Sequence, residues 1–480
     1  AAGGWLRPRQ PQRLPLAQSL KALGTLQAGG RRHLASLGLM ALGALLALLP
    51  PIAGVPLAAY LSVALLLVGG ITALPGGVAL VYDRLAPRLG ARPLLLLAVE
   101  RARRVRESAA VAVSGVVASL SLAVALTVMV ASFRDSVTQW LDVLLPADLY
   151  VRTAEGSAAG ETAFLDAGFV QAAAQLPGVA RANPQRVRPL LLDPALPPVV
   201  LLARPLPDPA RSLPLVGPLQ PVPQDRIGVY VSEAVRDLYG ARAGEPMPRL
   251  ASAFGVAPDR FFVAGIWRDY ARQSGAVMMD RGDYLRLTQD ARANELHLWL
   301  APGADVAQVQ RALRERAEAA SASGGVLEFA TTQQLRATSL RIFDRSFAVT
   351  YWLQAVAIAI GLFGVAASFS AQVLARRKEF GLLQHLGLTR RQVLAVVAGE
   401  GAAWTGIGSL AGLALGLAVA VVLVHVVNPQ SFHWTMDLQV PWLRLALLCA
   451  AVVAAGTLTA WLAGRAAAGR DAGLAVKEDW

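Results

Sequence analysis

The chain has 480 residues, 55% of them hydrophobic and only 16% charged, a balance too apolar for an ordinary soluble domain and indicative of several membrane spans. Its net charge of +13 does not mark a nucleic-acid surface: residues 134–340 hold 21 basic against 22 acidic groups, while the other 273 residues hold 24 against 10. The excess flanks the apolar runs, as topology control requires. None of the three lysines, Lys21, Lys378 and Lys477, follows a glycine, so the chain has no P-loop and is not by itself a P-loop ATPase. The single cysteine, Cys449, excludes a disulfide within the chain.

Residues 1–33 mix Pro, Gln and Arg, lack an initiator methionine, and read as a cytoplasmic lead-in, the cut end of a longer polypeptide. The apolar run 34–49 amounts to about 24 Å of helix, slightly short of the bilayer core. The Pro50-Pro51 exit and a second run from 57 to 80 make residues 34–82 a membrane hairpin rather than a signal peptide. Residues 83–106 then carry seven arginines, at 84, 88, 92, 101, 103, 104 and 106, against two acids, which places that loop in the cytoplasm. Within 83–108 the stretch LLLLAVERARRVRES is apolar first and basic second. It reads either as a helix on the membrane surface or as a solvated charged face.

Residues 109–133 form the third expected span and 346–371 the fourth, with an insert of about 200 residues at 134–345, enough for one or two compact domains. The insert alternates strands and helices. ADLYVRT, VARANPQRVRPLLL and PPVVLLARPL are strands, and FLDAGFVQAAAQL is a helix. Prolines crowd residues 184–223, as at a domain boundary or an irregular connection. IGVYVSEAVRDLYG opens a second unit that continues through RFFVAGIWRD, GAVMMDRGDYLRL, NELHLWLAP and DVAQVQRALRERAEAA. The repeated strand-helix pattern suggests two halves of one layer.

After span four comes a short basic segment, 372–393, between two membrane-length runs. On an amphipathic helix Phe380, Leu382, Leu383 and Leu386 supply apolar contacts, while Arg376, Arg377, Lys378, Arg390 and Arg391 stay in water or at headgroups. Gly387 ends one helix and Thr389 caps the next. Spacing alone leaves two readings open: a segment that receives force from a cytoplasmic partner, or a cytoplasmic loop that is basic only because such loops usually are. Residues 394–463 hold spans five and six, and 464–480 a cytoplasmic tail. Span five, near 393–427, exceeds the roughly 20 residues a bilayer needs and must tilt, bend or project. In it Gly408, Gly412 and Gly416 recur every fourth position on one face, which favours close approach of another helix.

Four basic inside segments and six evenly spaced spans give one topology: both termini inside, the large insert outside. The fold expected is therefore an α-helical membrane protein with six transmembrane helices and a large α+β extracytoplasmic domain between spans three and four. Chemistry is sparse. His425, His433 and Asp437 share the short outer loop but match no metal-site spacing, and no G-x-S-x-G elbow or positioned base occurs. Glu400 is the exception in spans otherwise nearly free of charge, and reads as structural before transporting.

The order of these parts resembles the FtsX-like, MacB-type permeases of ABC transporters over about residues 94–480. The most specific element is the segment with Arg376, Glu379, Gly381, Leu382, Leu383, Leu386, Gly387, Thr389, Arg390, Arg391, Gln392 and Val393, followed by a glycine-rich span containing Glu400. The first two spans look like the linker pair of ten-span relatives, the YbbP-like group, so the chain resembles the C-terminal portion of such a permease or a split subunit. The resemblance implies a bacterial inner-membrane protein that binds no cofactor itself. ATP and Mg2+ belong to a cytoplasmic ABC ATPase dimer, which pushes on Arg376, Glu379, Phe380, Gly381, Leu382, Leu383, Leu386, Gly387, Thr389 and Arg390. It further implies a second permease unit (a homologous chain, a missing N-terminal half or a second copy), contact with membrane lipids, and an extracytoplasmic partner. The work delivered outside is export or extraction of lipid-like, lipoprotein or hydrophobic substrates; the alternative is a signal transducer that regulates an extracytoplasmic hydrolase. An apolar groove in the external domain favours the first, and a polar docking surface without a groove the second.

Overall fold

The computed structural model describes residues 29–52, 54–85, 106–153, 164–320, 327–375 and 387–467. In chain order, α1 (Gly29–Leu46), α2 (Leu57–Leu85) and α3 (Arg106–Leu144) lead into an α/β region. That region comprises β1 (Leu149–Thr153), α4 (Ala167–Ala174), β2 (Val179–Leu190), β3 (Val199–Arg204), β4 (Ile227–Ser232), α5 (Glu233–Tyr239) and α6 (Pro248–Phe254). It continues with β5 (Phe261–Trp267), β6 (Ala276–Asp280), α7 (Arg281–Thr288), β7 (Glu295–Leu300), α8 (Val306–Ala320) and β8 (Leu327–Thr331). Then come α9 (Thr332–Ala375), α10 (Arg390–Val422), a π-helical turn Leu423–Val427, α11 (Asn428–Phe432) and α12 (Trp442–Ala467). The chain divides into a helical unit and an α/β unit, the second comprising Met129–Tyr351 together with Val424–Val440.

In the helical unit, glycines set how closely the helices approach. At Gly43 a Cβ would stand 3.1 Å from the Ser62 carbonyl, and at Gly69 3.0 Å from the Met40 amide, so α1 and α2 pack nearly backbone to backbone. Gly401 and Gly456 do the same for α10 and α12, where an added Cβ would run into Ala460 and Thr405 respectively. Gln354 of α9 donates from Nε2 to Thr127 Oγ1 at 2.7 Å and to the Ala123 carbonyl at 3.2 Å, a polar pin between two apolar helices. Elsewhere α9 leaves large apolar side chains uncovered, Trp352 and Phe363 at 75% and 76% exposure, as suits a helix facing lipid or another chain.

Among the described residues, five helices are long and apolar enough to cross a membrane: Leu57–Pro75, Val113–Leu144, Thr332–Ser368, Arg390–Phe432 and Trp442–Ala466. The first expected span is helical, but its apolar part, Leu34–Leu46, is shorter, about 20 Å at the helical rise against a core of about 30 Å. Conversely, α3 and α9, at 39 and 44 residues, are each about twice as long as the spans expected within them need to be.

The α/β unit is built on one eight-stranded mixed sheet of order β5-β4-β6-β3-β2-β7-β1-β8. Its two halves are joined by β2, which pairs with β7 through Gln185 and with β3 from Arg186 onward. The proline-rich stretch beginning at 184 is thus no boundary at its start. Pro184 lies at the point where the strand changes partners, a place where a missing amide donor is tolerated. One face of the sheet is covered in two clusters. Val199, Leu201, Ala203, Val277 and Met279 pack with α5, α6 and α7 residues such as Val235, Leu250 and Tyr284. Leu149, Val151, Leu296 and Leu298 pack with α4 and α8 through Phe169, Ala173, Val309 and Leu313. The other face carries Leu202, Trp267 and Met278. Here α3 and α9 run antiparallel, joined by Arg134 to Asp344 at 3.3 Å and by Arg336 to Asp142.

The glycine contacts yield a test. Gly416→Val should lower the unfolding temperature of the detergent-solubilised chain, because its Cβ would meet Val124 Cβ at 2.6 Å and the Ser121 carbonyl at 2.7 Å, a strain of about 1–3 kcal/mol. Gly406→Ala on the same helix meets nothing within 4 Å and should leave it unchanged or slightly raised.

Candidate functional site

The sequence places its candidate residues in three groups. Arg376, Glu379, Phe380, Gly381, Leu382, Leu383 and Leu386 lie outside the described residues, as does most of the basic stretch at 83–108. At the following boundary Gly387 has φ +95°, a conformation that favours glycine. Thr389 caps α10 with a full capping box: its Oγ1 accepts from the Gln392 amide at 3.3 Å, and Gln392 Oε1 accepts from the Thr389 amide at 2.8 Å. Arg390 Nη2 donates to the Arg465 carbonyl of α12 at 3.3 Å, so the first turn of α10 is held to the last turn of α12.

Gly408, Gly412 and Gly416 face α3. An added Cβ would stand 2.5 Å from Val113 Cγ1 at Gly408, 3.1 Å from Leu120 Cβ at Gly412, and 2.6 Å from Val124 Cβ at Gly416. Glu400 is buried on the same helix, one turn before Trp404, which is likewise buried.

The most elaborate constellation is one that sequence reasoning did not assemble. The segment between α10 and α12 belongs to the α/β unit from Val424 to Val440, and is fastened there along its length. Arg268, just beyond β5, forks onto Asp437 with Nη1 to Oδ2 at 2.6 Å and Nη2 to Oδ1 at 2.9 Å. That hydrogen-bonded fork, outweighing partial burial, holds the Asp437 carboxyl below its usual range. Glu233, fully buried at the start of α5, accepts from the Thr435 amide at 2.9 Å and from its hydroxyl at 2.8 Å. Tyr270 donates to the Thr435 carbonyl at 2.9 Å; burial pushes its phenol up to about 12, so it stays a donor. From α3, Ser132 Oγ accepts from the Gln439 amide at 2.9 Å and Ser136 Oγ from the Asp437 amide at 3.2 Å.

Aromatic side chains fill the space beneath these bonds. Trp434 lies edge-on to Tyr270 at 4.9 Å and against Phe133 at 5.1 Å, and Phe133 also meets Phe343 and Phe347 of α9 at 5.1 and 5.2 Å. Trp140 of α3 donates its Nε1 hydrogen to the Arg268 carbonyl at 2.9 Å. Asp437 is therefore committed to an arginine. His433 turns its Nδ1 toward Asp237 at 3.9 Å, and among the described residues no cluster of His, Cys, Asp and Glu suits a metal ion. What this site can do is mechanical: hydrogen bonds, an ion pair and packed rings make a short segment move as part of the sheet.

Five membrane-length helices among the described residues, with an α/β unit between two of them in sequence, mark a multi-pass membrane protein. Residues 353–472 match the family described as FtsX-like permease C-terminal. The chain is also 28% identical over 406 residues to an uncharacterized ABC transporter permease of Mycobacterium tuberculosis (strain ATCC 25618 / H37Rv), covering 80% of this chain and 45% of that one. It is 22% identical over 190 residues to an uncharacterized ABC transporter permease of Methanocaldococcus jannaschii, covering 38% and 47%. It spans less than half the length of either relative. Among solved structures, the periplasmic region of MacB from Actinobacillus actinomycetemcomitans aligns with 41% of this chain and 94% of its own, at TM-score 0.30 and 10% identity. The extracellular domain of the noncanonic ABC-type transporter YknZ from Gram-positive bacteria aligns with 38% and 99%, at 0.26 and 8%. The resemblance to FtsX-like ABC transporter permeases read from the sequence thus holds.

Releasing the fastened segment has a direct readout. Asp437→Ala combined with Thr435→Val should accelerate amide hydrogen exchange across residues 434–439 by about tenfold or more, since charge-assisted hydrogen bonds each contribute more than about 1.4 kcal/mol. Exchange in β2 and β7, which pair elsewhere in the sheet, should not change.

Proposed function

We propose that the chain is the membrane subunit of an ABC transporter of the mechanotransmission type, in which a separate cytoplasmic ATPase dimer hydrolyses ATP and this chain carries the resulting movement to an extracytoplasmic α/β domain. The observation that carries this reading is that the segment joining α10 to α12 is part of the α/β unit, held by Arg268, Glu233 and Tyr270, while α10 begins immediately after the basic segment 376–386. A push on that segment, through residues from Arg376 to Arg390, then has a covalent route along α10 to Thr435 and Asp437.

In this scheme all six apolar stretches span the bacterial inner membrane, with both termini cytoplasmic. A second permease unit completes the transporter, whether a homologous chain, an N-terminal half or a second copy, and the uncovered face of α9 is one place for it. The spans carry almost no charge, which offers no polar path through the bilayer and suits work done on the outer side. That work is export or extraction of a lipid-like, lipoprotein or otherwise hydrophobic substrate. An apolar-walled cavity in the α/β unit favours this over regulation of an external hydrolase. For ATP to do work, nucleotide must favour one arrangement of the external domain over another.

The test is co-purification in nanodiscs followed by hydrogen exchange. The intact chain should retain a small P-loop ATPase, and ATP should change exchange at residues 434–439. The chain carrying Leu382→Arg and Leu386→Arg should lose the ATPase. If both chains retain the same proteins, or neither binds an ATPase, the coupling role is wrong.

A further inference from the structure

The face of the sheet opposite its helices encloses a cavity of about 400 Å³, within the roughly 300–1,000 Å³ typical of small-molecule pockets. One wall is apolar, made by Leu144 and Leu145 at the end of α3, Leu335 at the start of α9, and Leu202 and Met278 from the strands. The other is polar. Register places Gln185 opposite Glu295 and Tyr150 opposite His297, so β2, β7 and β1 present them side by side, with Arg204 two residues beyond Leu202 on β3.

The charges on this floor are unevenly settled. Arg152 is paired with Glu328 at 2.6 Å, and Arg272 with Asp269 at 3.1 Å. Glu295 accepts from Gln185 Nε2 at 2.8 Å and lies 3.7 Å from His297 Nε2. Arg204 is different. It is only 7% exposed, it donates from Nη2 to the Ser212 carbonyl at 2.8 Å, and no carboxylate among the described residues lies within ion-pair distance of it. Burial pushes its guanidinium down from the usual value, while Tyr150 beside it is pushed up to about 12 and stays neutral. An arginine keeps its proton even so, and a buried cation without a counterion is costly.

We propose that this cavity binds a small anionic amphiphile, a short alkyl or acyl chain bearing one phosphate, sulfate or carboxylate group, with the anion against Arg204 and the chain along Leu144, Leu145 and Met278. The anion supplies the charge that Arg204 lacks, and the planar guanidinium suits a two-oxygen contact. The apolar wall buries the chain. The tyrosine hydroxyl and the Gln185 amide lie on the same floor and limit how far the head can shift. The inference goes beyond the transporter reading, because the site takes its ligand whether the chain moves a substrate or a signal.

The experiment is calorimetric titration of the full chain, in nanodiscs of uncharged lipid, with octyl phosphate, inorganic phosphate, 1-octanol and octyltrimethylammonium. Octyl phosphate should bind saturably at one site per chain, and each of the other three about tenfold or more weaker, the head and the chain each contributing more than about 1.4 kcal/mol. Arg204→Gln should weaken octyl phosphate about tenfold, by loss of a charge-assisted contact. Leu335→Trp, which fills the apolar side while leaving Arg204 intact, should do the same and covers the case in which the arginine variant fails to fold. Equal binding of octanol would remove the anion from the proposal, and equal binding of inorganic phosphate would leave only a free-anion site. Either result overturns it, as does octyl phosphate binding that is absent or unchanged in both variants. No ATPase enters the readout, so this failure is distinct from failure of the coupling role.

Discussion

The fork from Arg268 to Asp437 is the contact on which the functional argument depends. Without it and the buried Glu233 that grips Thr435, the stretch between α10 and α12 would be an ordinary outer loop, short and nearly uncharged. With them, two turns of chain become an added piece of the α/β unit. The physics favours permanence. Glu233 is fully buried, so leaving it unpaired would cost more than the bonds to Thr435 contribute when made. The rings of Phe133, Tyr270 and Trp434 exclude water from the same place and strengthen the electrostatic contacts. A segment fastened this way is a fixed part of the α/β unit.

The helical unit uses a different device for the same end. In hydrocarbon there is no hydrophobic force to press helices together, so close packing must do it, and packing needs small residues. Gly408, Gly412 and Gly416 let α3 approach α10, and Gly401 and Gly456 bring α10 and α12 together. The capping box at Thr389 satisfies the first amides of α10 just where the basic segment ends, so that helix starts at a defined residue. A helix with a fixed beginning and a fixed outer end is a stiff element, whatever drives it.

How much of this was legible in the sequence follows the range of the interactions. Strand alternation in IGVYVS and VVLLAR, the helix of α8 and the glycine face of α10 are local patterns, and each appears where its period predicts. Short apolar segments were harder. The strand Leu327–Thr331 is five residues without strong alternation, whereas VARANPQRVRPLLL reads as a strand through Pro184, as observed. The contact was invisible because Arg268 and Asp437 stand 169 residues apart. A signal existed: Asp437 is the only charge between 428 and 441, and such a residue in a membrane loop needs a partner. Sequence could say that it needed one. It could not say which of the arginines in the insert would arrive.

Arg204 presents the same problem from the opposite side. Its strand reads VVLLAR, and the preceding residues alternate between the helix-covered face and the cavity face, all but Val200 fully buried. A methionine at that position would pack as well and avoid the desolvation that the guanidinium suffers, and exchanging buried charges for apolar groups is often neutral or stabilising. The arginine therefore works against stability unless something answers its charge. Within the unit, Glu295 acts on it only through space and is itself engaged with Gln185 and His297. The other two arginines that line the cavity, Arg152 and Arg272, each have a carboxylate within ion-pair distance. Arg204, the most buried of the three, has none among the described residues, and that is what separates a binding group from a structural one.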